Sequence, residues 1–277
     1  MIKTITINSL LTGNGTPYTL VKATGFESPD IESASTPRSG RHGTVLHRVL
    51  WRARRISLEY ALRASTVSEY ATLRRALIKA FALPPLGATT TMYITTADDK
   101  ELELEVNLIN PMDGGFEPGH VTTGRIRIEL TAPDMNMYGQ STSEQTMTPP
   151  IAGGVALPTV LPFAFASSGG NYIINNDGNG IVYPTVKIYG PATNVNVRNL
   201  TTGEYFSIAI KIESGDYVTV DLEEQTVLLN GVTNYLHYFS GEFIYLKAGN
   251  NIISFSSDEN DPNSYAVISW NNAYIGI

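Results

Sequence analysis

The chain has 277 residues, 42% of them hydrophobic and 16% charged, with a formal net charge of −7 and no cysteine. That length suggests two domains, each able to bury a core, and the lack of thiols excludes disulfides and thiolate metal sites while leaving the redox compartment open. Residues 1–140 carry 15 Lys and Arg against 14 acids and residues 141–277 carry 4 against 12, so the acidic second half argues against a nucleic-acid grip there.

The opening run Met1-Ile2-Lys3-Thr4-Ile5-Thr6-Ile7 alternates apolar and polar residues. A secretory signal needs an unbroken apolar stretch after its basic start, and no apolar run reaches the length of a membrane span. The expectation is a protein made in a cytoplasm, with no membrane contact, that reaches the outside only as part of an assembled particle.

This first strand ends at the turn Gly13-Asn14-Gly15, and residues 18–26 read as a second strand closed by Ser28-Pro29-Asp30. Residues 33–43 read as a loop rich in Ser, Gly, Pro and Arg. Over residues 44–62 the apolar parity changes. Val49, Trp51 and Ala53 are odd, whereas Ile56, Leu58, Tyr60 and Leu62 are even. A strand keeps one parity per face, so a bulge or a bend between sheets is expected near Arg54–Arg55. Residues 66–82 read as the single helix. Thr66 and Glu69 have capping-box spacing, Val67, Tyr70, Leu73, Leu77, Ile78 and Phe81 form one stripe, and Leu83-Pro84-Pro85 stops it.

Residues 91–96 then lead through Ala97-Asp98-Asp99-Lys100 into the strictly alternating Glu101–Val106, and Arg125–Leu130 alternates likewise. The expectation is that these last two pair, with Glu101, Glu103 and Glu105 facing Arg125 and Arg127. A boundary falls near residue 140. Residues 141–156 read as a linker, polar and ending in Pro149-Pro150 before Gly153-Gly154, and residues 157–277 as a second domain. Between Tyr183 and Phe255, short Val-, Ile- and Tyr-rich runs alternate with turn residues about every ten positions, the rhythm of an antiparallel sandwich. The fold class is therefore mainly β: two β-sandwich domains, residues 1–140 with one flanking helix, then the second sandwich.

Motifs for chemistry are missing. His42, His47, His120 and His237 lack metal-ligand spacing. There is no nucleophile elbow, P-loop or dinucleotide fingerprint. Asp258-Glu259-Asn260-Asp261 lacks the alternation and turn glycine of a calcium loop and reads as a solvated segment closed by Pro262. No catalytic residue, metal ligand or cofactor is assigned, and no enzyme is expected.

The segment Arg38–Lys79 stands out, with ten Lys and Arg against Glu59 and Glu69. Nine of the ten are Arg, whose planar fork suits carboxylates at protein interfaces. One reading is a solvated face. The other is a subunit interface built from Arg41, Arg48, Arg52, Arg54, Arg55, Arg74 and Arg75 around Trp51 as a buried anchor. Nucleic-acid binding is a poorer third, since aromatic interleaving is sparse.

The punctuation of the second half also resembles a family. Leu157-Pro158-Thr159-Val160-Leu161-Pro162-Phe163, then Asn175-Asn176-Asp177-Gly178-Asn179-Gly180 before Tyr183-Pro184, then Gly190-Pro191-Ala192-Thr193-Asn194 are similar in order and spacing to the C-terminal domain of the distal tail proteins of long-tailed phages. Thr201-Thr202-Gly203, Gly215-Asp216, Asp221, Asn230-Gly231 and Gly249-Asn250-Asn251 continue the pattern; Val195 stands where that family usually has Pro. Gly40-Arg41-His42-Gly43, Arg55-Ile56-Ser57-Leu58 and the helix after residue 65 resemble its N-terminal domain more loosely.

The resemblance implies a C-terminal sandwich of galectin-like or carbohydrate-module-like type. It also implies a virion protein of the tail tip forming a homo-hexameric ring between the tail tube protein and the tail-associated hub protein. DNA would pass through the opening, and receptor-binding proteins are further partners. Two alternatives stay open: a tail tube protein, or a module for host glycans using Tyr235, Tyr238 and Phe239, or Tyr172 and Tyr183, on one sheet face.

Overall fold

The computed structural model describes residues 2–110, 112–114, 122–150, 170–258, 261 and 263–277. His120, the run 157–163, and the residues of the linker beyond 150 lie outside the described residues. The chain divides into two compact units, Met1–Gln140 with Tyr274–Ile277, and Ser141–Ala273.

The first unit contains β1 (Ile2–Ile7), β2 (Leu10–Gly13), β3 (Tyr18–Thr24), β4 (Ile31–Pro37), β5 (Thr44–Trp51), β6 (Arg54–Arg63), α1 (Val67–Ala80), β7 (Thr90–Thr96), β8 (Glu101–Leu108) and β9 (Thr123–Ala132). Strand β10 (Met137–Met147) starts in it. One sheet runs β2-β1-β7-β8 and the other β3-β6-β9, joined where Leu108 of β8 pairs with Leu130 of β9. Alternation puts Ile5, Ile7, Met92, Ile94, Leu102 and Leu104 from one sheet, and Ile56, Leu58, Tyr60, Leu62, Ile126 and Ile128 from the other, into one core. Helix α1 adds Tyr70, Leu77 and Ala80, and its C-cap Phe81 follows them inward, whereas Val67 and Ile78, at the margins of its stripe, stay exposed. Thr66 caps it, accepting from the Glu69 N–H at 3.2 Å, and the Glu69 carboxylate accepts in return from Ser65 N–H at 2.7 Å. The reciprocal bond thus lands one residue before the cap.

The parity change falls where the chain passes between sheets rather than at a bulge inside one strand: β5 ends at Trp51 and β6 begins at Arg54, and among the described residues β5 pairs with β4 as a separate two-stranded ribbon. One expectation is corrected: β8 does not lie along β9 over its alternating run. Strand β9 pairs with β6 from Arg54↔Ala132 to Arg63↔Thr123. Arg125 therefore meets Glu59 at 3.0 Å, and Arg127 meets Glu129 at 2.9 Å, leaving Glu101, Glu103 and Glu105 on another sheet. Alternation specifies which face is buried, not which strand is the neighbour.

The second unit contains β11 (Asn171–Asn176), β12 (Thr185–Tyr189), β13 (Ala192–Asn199), β14 (Tyr205–Ile212), β15 (Tyr217–Asp221), β16 (Thr226–Leu229), β17 (Thr233–Asn234), β18 (Phe239–Gly241), β19 (Gly249–Ser256) and β20 (Tyr265–Tyr274), with one 3-10 turn at Leu236–Tyr238. The order β17-β16-β15-β12-β20 faces β11-β19-β13-β14-β18. Val186, Ile188, Val218, Val220, Ala266 and Ile268 from the first layer, and Val195, Val197, Phe206, Ile208, Ile253 and Phe255 from the second, are fully buried. Residues 141–147, read as linker, are instead strand, since β10 continues to Met147; polar residues on alternate positions suit a half-exposed strand.

The turn residues of the Tyr183–Phe255 run do structural work. Asn199 is buried and its amide donates to the Tyr245 carbonyl at 2.7 Å, while its side-chain oxygen accepts from Thr201 N–H at 2.9 Å. Asn251, also buried, donates to the carbonyls of Lys247 and Gly249. Asn230 and Gly231 both take positive φ, 51° and 73°, as a tight hairpin turn between β16 and β17 requires.

Candidate subunit interface

The Arg-rich segment separates into three environments. The first is the ribbon. Arg41 is exposed in the turn between β4 and β5. Arg48 lies 3.8 Å from Glu32 Oε1, and Arg52 Nε donates to Glu32 Oε2 at 3.1 Å. Arg55, just into β6, stands 3.5 Å from Asp30. The hydrogen bond and charge of Arg52 hold the Glu32 carboxyl below its ordinary value. All four of these arginines are exposed, so water screens the pairs and they fix geometry more than stability. Trp51 is 42% exposed at the base of the ribbon. Within one copy it is not a buried anchor, because among the described residues no second layer covers the ribbon.

A second environment is the helix surface. Arg74 reaches the Gly114 carbonyl, and Arg75 Nε donates to the Ala71 carbonyl at 3.1 Å. Both are exposed. Among the described residues no hydrogen bond or ion pair joins them to the ribbon.

The third is Arg54, which corrects its assignment to an interface. Its relative exposure is 0%. Nη1 donates to the Gly25 carbonyl at 2.7 Å, and Nη2 donates to the Met135 carbonyl at 2.7 Å and to the Ile275 carbonyl. Burial pulls its pKa down, and the negative charges of Asp134 and Glu27 pull it back up. A guanidinium stays charged regardless, and the carbonyls solvate it. The signal was present in the sequence: Arg54 shares the even parity of Ile56, Leu58, Tyr60 and Leu62, the inward face of β6.

Between the ribbon base and the outer face of β6 and β9 lies a cleft of about 770 Å³. Asp30, Arg52, Arg55, Arg127, Glu129 and Ile109 line it. Its charges are largely paired with one another, so it offers no convergent set of free groups for a small ligand. Among the described residues no group of three or more His, Asp or Glu side chains could hold a metal ion.

In the second unit, Tyr235 and Tyr238 meet edge to face at 5.2 Å and His237 sits 3.9 Å from Tyr238, all around the 3-10 turn. Phe239 turns inward, stacking on the buried Phe206 at 5.4 Å and on Phe243 at 4.5 Å. The three residues therefore do not form one flat aromatic platform. Sequence reading missed a different aromatic row. Tyr217, Tyr189 and Tyr265 sit opposite one another on β15, β12 and β20, with Lys187 Nζ 3.9 Å from the Tyr217 ring centre. Only the strand register reveals this row.

These units have counterparts among known proteins. Residues 177–274 match the family model of the siphovirus-type tail component, C-terminal domain. No curated protein matches the chain. The crystal structure of SPP1 Dit (gp 19.1), described as a paradigm of the hub adsorption apparatus in phages infecting Gram-positive hosts, is similar with a TM-score of 0.68 at 11% identity, covering 98% of each chain. At that identity the likeness is one of fold. The phage P2 baseplate in its activated conformation with Ca covers 97% of this chain and 98% of that one at a TM-score of 0.48 and 11% identity. Its counterpart with Sr scores 0.46 at 12% identity over the same shares. Both scores are too low to add to the fold assignment. The resemblance to distal tail proteins is thus borne out, by the family model over the second sandwich and by the SPP1 Dit fold over nearly the whole chain.

Proposed function

We propose that the chain is a structural subunit of the tail tip of a long-tailed phage or phage-like particle, located in the virion. In this reading copies close into a hexameric ring that joins the tail tube to baseplate or tail-fibre proteins and lets DNA pass. The observation that carries it is the family match over residues 177–274 together with a fold like that of SPP1 Dit along 98% of the chain. Charge and site geometry support it: the first unit carries a ribbon that joins no other strand among the described residues, and exposed arginines, while the second is acidic and built from structural turns. Strand edges left open in one copy gain partners when a ring closes. The role is structural rather than enzymatic. Negative-stain microscopy of the purified protein, concentrated at low salt, tests it: single six-fold rings are expected, and long cylinders would point to a tube protein instead.

A further inference from the structure

The ribbon β4–β5 is the least covered regular structure in the first unit. Its strands pair from Ile31↔Trp51 to Pro37↔Thr44 and, among the described residues, join no other strand. All eight residues of β5 are exposed. The register shift between Ala34 and Ser35 places Leu46, Val49 and Trp51 on one face and Val45 and Leu50 on the other, so apolar side chains stand on both faces. A lone two-stranded hairpin is marginal in water, and an apolar surface of this kind marks an interaction site. Over residues 31–51 the ribbon carries Arg38, Arg41 and Arg48 against one acid, Glu32.

A surface of opposite character lies on the outer face of β2-β1-β7-β8. The register places Leu11, Thr6, Tyr93 and Glu103 in one row, with Thr91↔Glu105 and Thr95↔Glu101 on either side. Their neighbours along the strands, Met92, Ile94, Leu102 and Leu104, are buried, so this row faces outward. Leu11 and Tyr93 are exposed. Among the described residues Glu101, Glu103 and Glu105 form no salt bridge, and the nearby Lys3 is already held by Asp99 at 2.8 Å. Three acids thus flank an exposed apolar pair, against three arginines that flank exposed apolar residues on the ribbon.

We infer that the ribbon of one copy seats on the outer β1–β7–β8 face of a second copy. Arg38, Arg41 and Arg48 meet Glu101, Glu103 and Glu105, and the Leu46–Val49–Trp51 face of the ribbon covers Leu11 and Tyr93. Each copy offers one ribbon and one face, so the contact is head-to-tail and closes into a ring when the rotation permits. This deepens the ring reading and rests on it. Charge pairing of this kind sets register and speeds encounter, and salt weakens it.

The test is sedimentation velocity and negative-stain microscopy on the full chain and three variants. These are Arg41→Glu with Arg48→Glu, Glu101→Lys with Glu103→Lys, and all four together. Circular dichroism checks folding; Arg41, Arg48 and Glu101 are exposed and Glu103 is half-buried. The expected result is self-association weakened at least about tenfold by either pair of reversals, as like charges are brought together, and regained when both are present. As a second readout, Leu46→Cys and Tyr93→Cys chains, mixed in this otherwise cysteine-free protein, cross-link with a bismaleimide, whereas neither cross-links alone. Rings that survive both reversals unchanged, with no cross-link in the mixture, overturn this contact and leave the ring reading standing. A chain that forms no rings and no cross-link removes both.

Discussion

The Arg54 guanidinium donates to the carbonyl of Ile275, 221 residues along the chain, and the same fork also holds Gly25 and Met135. Three remote loops of the first unit converge on one buried cation. Ile277 N–H reinforces the arrangement by donating to the Phe26 carbonyl at 3.1 Å. Replacing Arg54 with Met leaves three carbonyls without their donor. The expected loss is on the order of 3 kcal/mol in urea unfolding, with Arg54→Lys intermediate because an ammonium lacks the planar fork.

Two glycines beside Arg54 allow this close approach. A Cβ on Gly276 would sit 1.8 Å from the Glu27 carbonyl oxygen, and one on Gly25, whose φ is +94°, 2.0 Å from that of Arg55. Backbone atoms cannot yield as a flexible side chain does. Gly25→Ala is expected to lower stability by about 2 kcal/mol or more, read as a fall in Tm. Gly276→Ala is expected to expose residues 274–277 to carboxypeptidase while leaving the second sandwich folded.

Glu32 ties the ribbon through Arg52, and its pKa is lowered from 4.5. A carboxyl that ionises more readily in the folded state contributes stability above its unfolded value and loses it as pH falls through the folded one. An NMR titration of the Glu32 carboxyl is therefore expected to show a midpoint below 4.5. Arg52→Gln should raise that midpoint, and a midpoint unchanged by the substitution would contradict the pairing.

Removing the Thr66 cap leaves the Glu69 N–H without its side-chain acceptor. Thr66→Ala is expected to cost about 1 kcal/mol, measured by chemical denaturation, with the β content unchanged.

Trp51 is exposed in a single copy. If it enters an interface when copies associate, its emission shifts to shorter wavelength with concentration in a Trp270→Phe background. An emission maximum that stays constant as larger species form would place Trp51 outside the contact.

Local features were the most legible in the sequence. The helix follows from a cap and a stripe within 17 residues, and the hairpin at Asn230-Gly231 from two residues that tolerate positive φ. Pairing between distant strands was not legible: Arg125 faces Glu59 rather than the Glu101–Glu105 row because alternation fixes a face without naming a neighbour. At the candidate interface the run of arginines was visible, but its members divide by parity. Arg54 falls on the inward face of β6 and Arg55 on the outward one. The return of residues 274–277 to the first unit left no local signal at all.

The proposed place of this chain is the tail tip. Immunogold electron microscopy of tailed particles assembled with an epitope-tagged copy of this chain measures that directly. Gold is expected only at the distal end of the tail, with untagged particles bare. Label along the tube, on the head, or absent from intact tailed particles would contradict it.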